Sequence, residues 1–334
     1  MAYAPRFTIT PGLLARIEEI AALRARIQAA SVEVPWIPML QKDARIRNAH
    51  ASTAIEGNPL TLEQVRALDE GRPVPAVTPR SKKEVLNYFA GLKFVEKHAA
   101  KKTITHQDVC RLHGILAEGV MDQGELGVYR TIRVRVGRHI PPPPEEVRGL
   151  MDGLIRWWND EAGRWSPVVS SAVIHCRFED IHPFADGNGR VGRMLALWEL
   201  FRRGFDTNHI FAVDEYYWDD RSRYYAALDE VRQSDKDLTR WIEYCAEGIH
   251  RTLEAVQARL ERISVETGAA KITLRPRQEK LLGLLRDKGG MVPREIWKAL
   301  GVSKQGAMDL LKPLIEAGLV KRVGTKKSGK YVLA

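Results

Sequence analysis

The chain has 334 residues, 44% hydrophobic and 28% charged, which suits a globular protein of two or three domains. No run of eighteen apolar residues occurs, excluding a membrane-spanning helix, and the opening Met-Ala-Tyr-Ala-Pro-Arg has no apolar signal core. The net charge of +10 lies entirely in residues 271–334, with fifteen Lys/Arg against five Asp/Glu, so a separate module with an anionic partner is expected there.

Apolar residues at helical spacing (Leu14, Ile17, Ile20, Leu23, Ile27) predict a packing helix over 11–30. A second helix is predicted from about Pro38 to Ile55, ended by Gly57-Asn58-Pro59. Ser52 and Glu56 share one face of its end. Taken locally, Glu56 reads as a solvated helix end. Thr61, with Gln64 three residues on, predicts a capped helix over 61–70, and 71–79 is a loop. Helical patterns resume over Glu84–Lys97 and again after Thr105. His98, His106 and His113 have no ligand spacing and are expected to be structural or surface residues.

Between Gly124 and Gly137, Ile132, Val134 and Val136 alternate with Arg133 and Arg135, a period-2 pattern that predicts a small hairpin. Pro141–Pro144 is a stiff connector. Val147–Trp158 is helical, with Trp157 and Trp158 packing. Pro167–Phe178 is apolar nearly all round and predicts a buried central helix.

Directly after it comes His182-Pro183-Phe184-Ala185-Asp186-Gly187-Asn188-Gly189-Arg190-Val191-Gly192-Arg193, then an apolar helical run to Gly204. The glycine-rich turn therefore opens a helix, where free N–H groups and the helix dipole suit a phosphate. His182 has the chemistry of a general base, and Asp186 is a hard oxygen ligand for phosphate-bound Mg2+. Asn188 can donate to a phosphate oxygen, and Arg190 and Arg193, three apart, can clamp a polyphosphate. None of these is a hydrolytic nucleophile. The layout suits transfer from a nucleotide to an incoming hydroxyl.

This stretch resembles the signature of the Fic family, His-x-Phe-x-[Asp/Glu]-Gly-Asn-Gly-Arg-x-x-Arg, at every fixed position. The resemblance implies a mainly α protein, a Fic-type helical bundle with a small β-hairpin flap. It implies transfer of AMP from ATP to a Ser, Thr or Tyr hydroxyl of a target protein or of the chain itself. His182 would be the base, Phe184 a buried anchor and Asp186 the Mg2+ ligand, with Gly187, Asn188, Gly189, Arg190 and Arg193 on the ATP phosphates. Ser52 to Gly57 resembles the family's inhibitory [Ser/Thr]-x-x-x-Glu-[Gly/Asn], which implies that Glu56 pairs with Arg193 and keeps it from the γ-phosphate. The flap, with Val128, Tyr129, Arg130, Thr131 and Ile132, would hold a target segment by backbone pairing.

Farther on, Tyr216–Val231 predicts one helix, and in the family an aromatic from it lines the adenine pocket, so Tyr225 or Tyr224 is expected there. Leu238–Leu260 is a long helix. Patterns over Pro276–Arg286, Pro293–Leu300 and Ser303–Ala317, then a basic hairpin, look like a winged helix-turn-helix with Lys326, Lys327 and Lys330 on the wing. The expected organisation is 1–104 N-terminal helical region, 105–263 Fic core, 264–274 linker and 275–334 winged helix. Duplex DNA is the expected partner of 275–334, with dimerisation or protein docking as alternatives. The rival activities are removal of AMP, transfer of another phosphate-bearing group, and a DNA-bound regulator that senses nucleotide. Cys110, Cys176 and Cys245 are scattered, which suggests the cytoplasm. A homodimer is compatible with the residues, which contain no motif that demands one.

Overall fold

The computed structural model describes residues 3–32, 37–137, 139–206, 208–267, 276–316, 318–324 and 329–333. Contacts divide the chain into two units, Met1–Ala22 with Asp43–Glu254 and Leu23–Lys42 with Ala255–Ala334. Among the described residues there are fourteen α-helices and one two-stranded sheet. None of these helices is long and apolar enough to cross a membrane.

Helices α1 (Pro11–Val32) and α2 (Ile37–Ile55) fall within two residues of the expected limits. Helix α3 (Leu62–Asp69) opens on the expected box, in which Thr61 Oγ1 accepts the Gln64 N–H and Gln64 Oε1 accepts the Thr61 N–H. Helix α4 (Pro79–Lys97) starts five residues before the expected Glu84. Thr78 caps it through the Ser81 N–H at 3.1 Å, and Pro79 takes the first position, where no N–H is needed. Helices α5 (His106–Ala117), α6 (Pro144–Asp160), α7 (Pro167–Ile181) and α8 (Asn188–Arg202) follow.

The single helix expected over 216–231 is two, α9 (Asp214–Asp219) and α10 (Arg221–Gln233). Asp220 leaves helical geometry and accepts the Arg223 N–H at 2.9 Å, so it begins a new helix. Helix α11 (Thr239–Thr267) runs four residues into the expected 264–274 linker, because no glycine or proline lies between Leu260 and Gly268.

Helix α8 packs against α7, α4 and α5, and α6 packs against α7. The expected division at residue 104 therefore runs through one shared core. Trp158 and Trp198 meet edge-on at 6.3 Å. Beside them the fully buried Glu199 accepts from Trp158 Nε1 at 2.6 Å and Ser170 Oγ at 2.7 Å, which satisfies a charge that would otherwise be costly there. These contacts tie α6, α7 and α8 together and hold fixed the ends of the loop between α7 and α8.

In the second unit, α12 (Pro276–Lys288), α13 (Pro293–Leu300) and α14 (Lys304–Glu316) precede β1 (Val320–Val323) and β2 (Lys330–Leu333). The strands are antiparallel, with Val320 opposite Leu333 and Val323 opposite Lys330. Leu281, Leu285, Ile296, Leu311, Leu314 and Tyr331 form the core. Ser303 caps α14 through the Gly306 N–H at 3.1 Å, as the sequence predicts. This is a winged helix-turn-helix. Lys330 is exposed, whereas Lys326 and Lys327 lie outside the described residues.

Candidate active site

The loop from His182 to Gly187 takes its shape from the way two buried helices end. His182 caps α7 in the left-handed region (φ 51°, ψ 60°), with its N–H on Phe178 O at 2.8 Å. Such backbone in a non-glycine residue costs on the order of 1 kcal/mol. Arg130 holds it: its Nε donates to His182 O at 2.8 Å, its Nη2 to Ile181 O at 3.3 Å, and its N–H to Pro183 O at 2.8 Å. Phe184 is fully buried and stacks on the His113 ring at 3.8 Å. Burying a ring of that size stabilises by about 1.5–3 kcal/mol. Asn188 closes the loop from the other side, its Oδ1 accepting the Phe184 N–H at 2.9 Å and its Nδ2 donating to Phe184 O at 2.8 Å. The amide expected to meet a phosphate braces the loop, because a turn this tight needs its backbone groups paired from within.

Gly187 (φ 77°) caps α8, a conformation that glycine adopts at little cost. The first intrahelical bond runs from the Val191 N–H to Gly187 O at 3.2 Å, so the N–H groups of Asn188, Gly189 and Arg190 precede it. Asp186 stands at this mouth, its Oδ1 accepting the Gly187 N–H at 2.6 Å and its Oδ2 the Asp122 N–H at 3.1 Å. Both oxygens keep a lone pair, which fits one carboxylate assisting a cation that arrives on phosphates. No cluster of three or more His, Cys, Asp or Glu among the described residues would cage a metal by itself. Arg190 is 5% exposed, yet its Nε and Nη1 have no hydrogen-bond partner among the described residues. Unpaired buried guanidinium N–H groups are costly, and beside a helix N-terminus they match a phosphate.

Arg193, one turn along α8, is the opposite case: each of its three nitrogens donates. Nε reaches Ser52 Oγ at 2.8 Å, Nη2 reaches Ser52 O at 2.9 Å and Glu56 Oε1 at 2.7 Å, and Nη1 reaches Tyr224 OH at 3.5 Å. Burial opposes its charge, but Glu56, Tyr224 and Asp214 more than offset that and raise its pKa well above the usual arginine value. Glu56 lies one residue beyond α2, and Gly189 makes room for it: a Cβ on Gly189 would run into the Glu56 carboxylate.

The flap differs from a regular ladder. Residues 131–135 have no strand assignment, and Val136 and His139 exchange both backbone hydrogen bonds in a single bridge. Val128, Thr131 and Ile132 are exposed. Tyr129 instead turns inward, with its ring 5.2 Å from Phe184 and its hydroxyl 2.9 Å from His106 Nδ1. Arg130 is buried on backbone carbonyls, so neither it nor Tyr129 presents a side chain for docking. Tyr224 is likewise buried, against Arg193 and His175 Nε2. Tyr225 is 37% exposed and its hydroxyl reaches Ile55 O at 3.4 Å, next to Glu56.

The model of the Fic/DOC family matches residues 103–200, and one for winged helix-turn-helix DNA-binding matches residues 274–321. The chain carries a Fic domain. Protein adenylyltransferase Fic of Drosophila melanogaster is 32% identical over 236 residues, 70% of this chain and 46% of that protein. A crystal structure of a Fic family protein from Desulfovibrio desulfuricans G20 is similar at TM-score 0.68 and 29% identity, over 99% of this chain and 98% of that one. Fic-1 from C. elegans is similar at TM-score 0.64 and 25% identity, over 75% and 73%. The chain spans about half the length of the curated relatives it matches.

Sequence reasoning missed three residues of this Fic domain. His113 is fully buried; its Nδ1 accepts the Gly127 N–H at 2.9 Å, so the proton sits on Nε2, which donates to Asp186 O at 3.1 Å. Its spacing with Val109, Leu112 and Leu116 was the available signal of an inward face. Asp214, 3.9 Å from Arg193 and bonded to Tyr88 OH at 2.8 Å, had no local signal. Glu179, three residues before His182 at a helix end, is buried with its Oε2 3.6 Å from His182 Nδ1.

Burial holds the His113 and His175 imidazoles down to about 4. Between about pH 6.5 and 4 the unfolded chain would bind protons at these positions that the folded chain does not. Each therefore subtracts stability as pH falls through that window, on the order of 3 kcal/mol, and contributes nothing above it. In a histidine NMR titration their resonances should stay at the neutral position from about pH 7 to 5. Movement near the ordinary value of about 6.5 would contradict the buried, neutral assignment.

Proposed function

We propose that this chain is a protein adenylyltransferase, moving AMP from ATP to a Ser, Thr or Tyr hydroxyl of a target protein or of itself, with Glu56 as its restraint. The reading rests on the contrast between two arginines of α8. Arg190 keeps buried, unpaired N–H groups at a helix N-terminus, whereas Arg193 is occupied by Ser52 and Glu56. The first favours a phosphate, and the second denies a phosphate its second clamp. The similarity to adenylyltransferase relatives supports AMP as the transferred group.

The ATP phosphates would lie on the N–H groups of Asn188, Gly189 and Arg190 and on the Arg190 guanidinium, with Gly187 giving the turn its shape. Asp186 would hold a Mg2+ that travels with them, and the ion would screen the phosphate charge. His182 would take the proton of the target hydroxyl as its oxygen bonds to the α-phosphorus and the bond to the β-phosphate oxygen breaks, releasing pyrophosphate. The flap from Val128 to Ile132, exposed at Val128, Thr131 and Ile132, would seat the target backbone, and Tyr225 would flank the adenine. The buried thiols of Cys176 and Cys245 suit a reducing cytoplasm. The test compares α-labelled with γ-labelled ATP. Incorporation of the α label alone is expected, and γ label on protein would replace this reading with phosphoryl transfer.

A second activity, duplex DNA binding by residues 275–334, is favoured by the charge excess and the winged-helix match. Anisotropy of a labelled duplex with the full chain should weaken steeply from about 50 to 200 mM salt. Binding that ignores salt, or none at low salt, would remove it.

A further inference from the structure

The geometry points to Glu179 as the positioning residue of the catalytic histidine, a buried carboxylate that holds His182 in the tautomer with its proton on Nδ1 and so leaves Nε2 as the base. This rests on the role proposed above for His182.

Glu179 and His182 stand three apart at the end of α7, with Glu179 Oε2 3.6 Å from His182 Nδ1 and side chains 7% and 14% exposed. Among the described residues neither Glu179 Oε1 nor His182 Nδ1 has a hydrogen-bond partner. A buried carboxylate oxygen without a donor is too costly to be incidental. The other groups facing it cannot supply the proton it lacks. Arg193 on α8 is engaged by Ser52, Glu56 and Tyr224, and Tyr224 on α10 is shared with Arg193 and His175. His175, on the same helix, is held neutral by burial. The imidazole of His182 is the donor within reach, and a small rotation closes 3.6 Å to a hydrogen bond, as catalytic pairs do when substrate arrives.

Helix α8 is shaped around this carboxylate. A Cβ on Gly192 would run into Glu179 Oε1 and approach Phe178 Cδ1 to 3.2 Å. The two glycines on that face thus admit two carboxylates, Gly189 that of Glu56 and Gly192 that of Glu179. Burial pushes the Glu179 carboxyl up, but His182, then Arg193, bring it below the usual range, so it stays ionised. In the reaction Nδ1 keeps its proton, Nε2 takes the one from the hydroxyl, and Glu179 faces the imidazolium without being protonated.

Two readouts test this in the full chain. In a Glu56→Gly background, Glu179→Leu should lower kcat for AMP transfer by about 10²–10⁴, leave the KM for ATP within about twofold, and recover partly in Glu179→Asp. In 15N-histidine NMR near pH 8.5, where an imidazole is neutral, His182 should show the Nδ1–H tautomer in the wild type and the Nε2–H tautomer in Glu179→Leu. Gly192→Ala, which displaces the carboxylate without removing it, should give the same tautomer change and covers the case in which Glu179→Leu fails to fold. An unchanged tautomer in folded variants, or an unchanged kcat, overturns the assignment. If Glu56→Gly transfers no AMP at all, the adenylyltransferase reading fails, while the tautomer still decides the role of Glu179.

Discussion

Replacing Glu56 by glycine should raise the initial rate of AMP transfer about tenfold to a hundredfold. Of the groups on Arg193, Ser52 belongs to α2 and is fully buried, and Tyr224 is core. Glu56 is the carboxylate hydrogen-bonded to Arg193, lies past the last helical residue of α2, and has a side chain 35% exposed. A hydrogen bond between charged partners contributes about 1.5–3 kcal/mol, less where solvent reaches it. Removing it frees one N–H of Nη2 at 2.7 Å reach and clears the space above Gly189. With Arg190 already unpaired, both arginines could then face one polyphosphate, which fixes the α-phosphorus in line with the incoming hydroxyl. The fold should be little affected, since Arg193 keeps Ser52, Tyr224 and the nearby Asp214. Rates of α-label incorporation for wild type and Glu56→Gly decide it. Equal rates would mean that Glu56 does not restrain the enzyme.

In that released background, loss of the His182 imidazole should cut the rate by about 10²–10⁴ with little change in the KM for ATP. The other described side chains with base chemistry at the loop are committed elsewhere. Asp186 is engaged by two backbone N–H groups, and His113 is buried with both nitrogens engaged. Alanine is the direct substitution, but His182 occupies left-handed backbone. Asn, which tolerates that region, is therefore the matching control for any loss of stability. Melting curves taken alongside the rates separate the two causes. A rate that survives both substitutions would take His182 out of the proton transfer, and with it the argument for Glu179.

The amino-acid sequence by itself determined the helical elements and much of the site chemistry, because those depend on neighbours along the chain. Caps such as Thr61 and Ser303 were legible, as was a glycine-rich turn opening a helix with two arginines one turn apart. Errors came where a local signal was weak, at the start of α4 and the break at Asp220. What each side chain of the site faces was decided only by tertiary structure. Asn188 turns back onto Phe184, Tyr129 and Arg130 turn inward, and Tyr224 is sealed against Arg193. The contact of Arg193 with Glu56 spans 137 positions, and no local rule relates them without the family resemblance. Direction and partner follow from which faces of α2, α7, α8 and α10 are buried together. Residue type and spacing establish what a group can do, whereas packing selects the one group it meets.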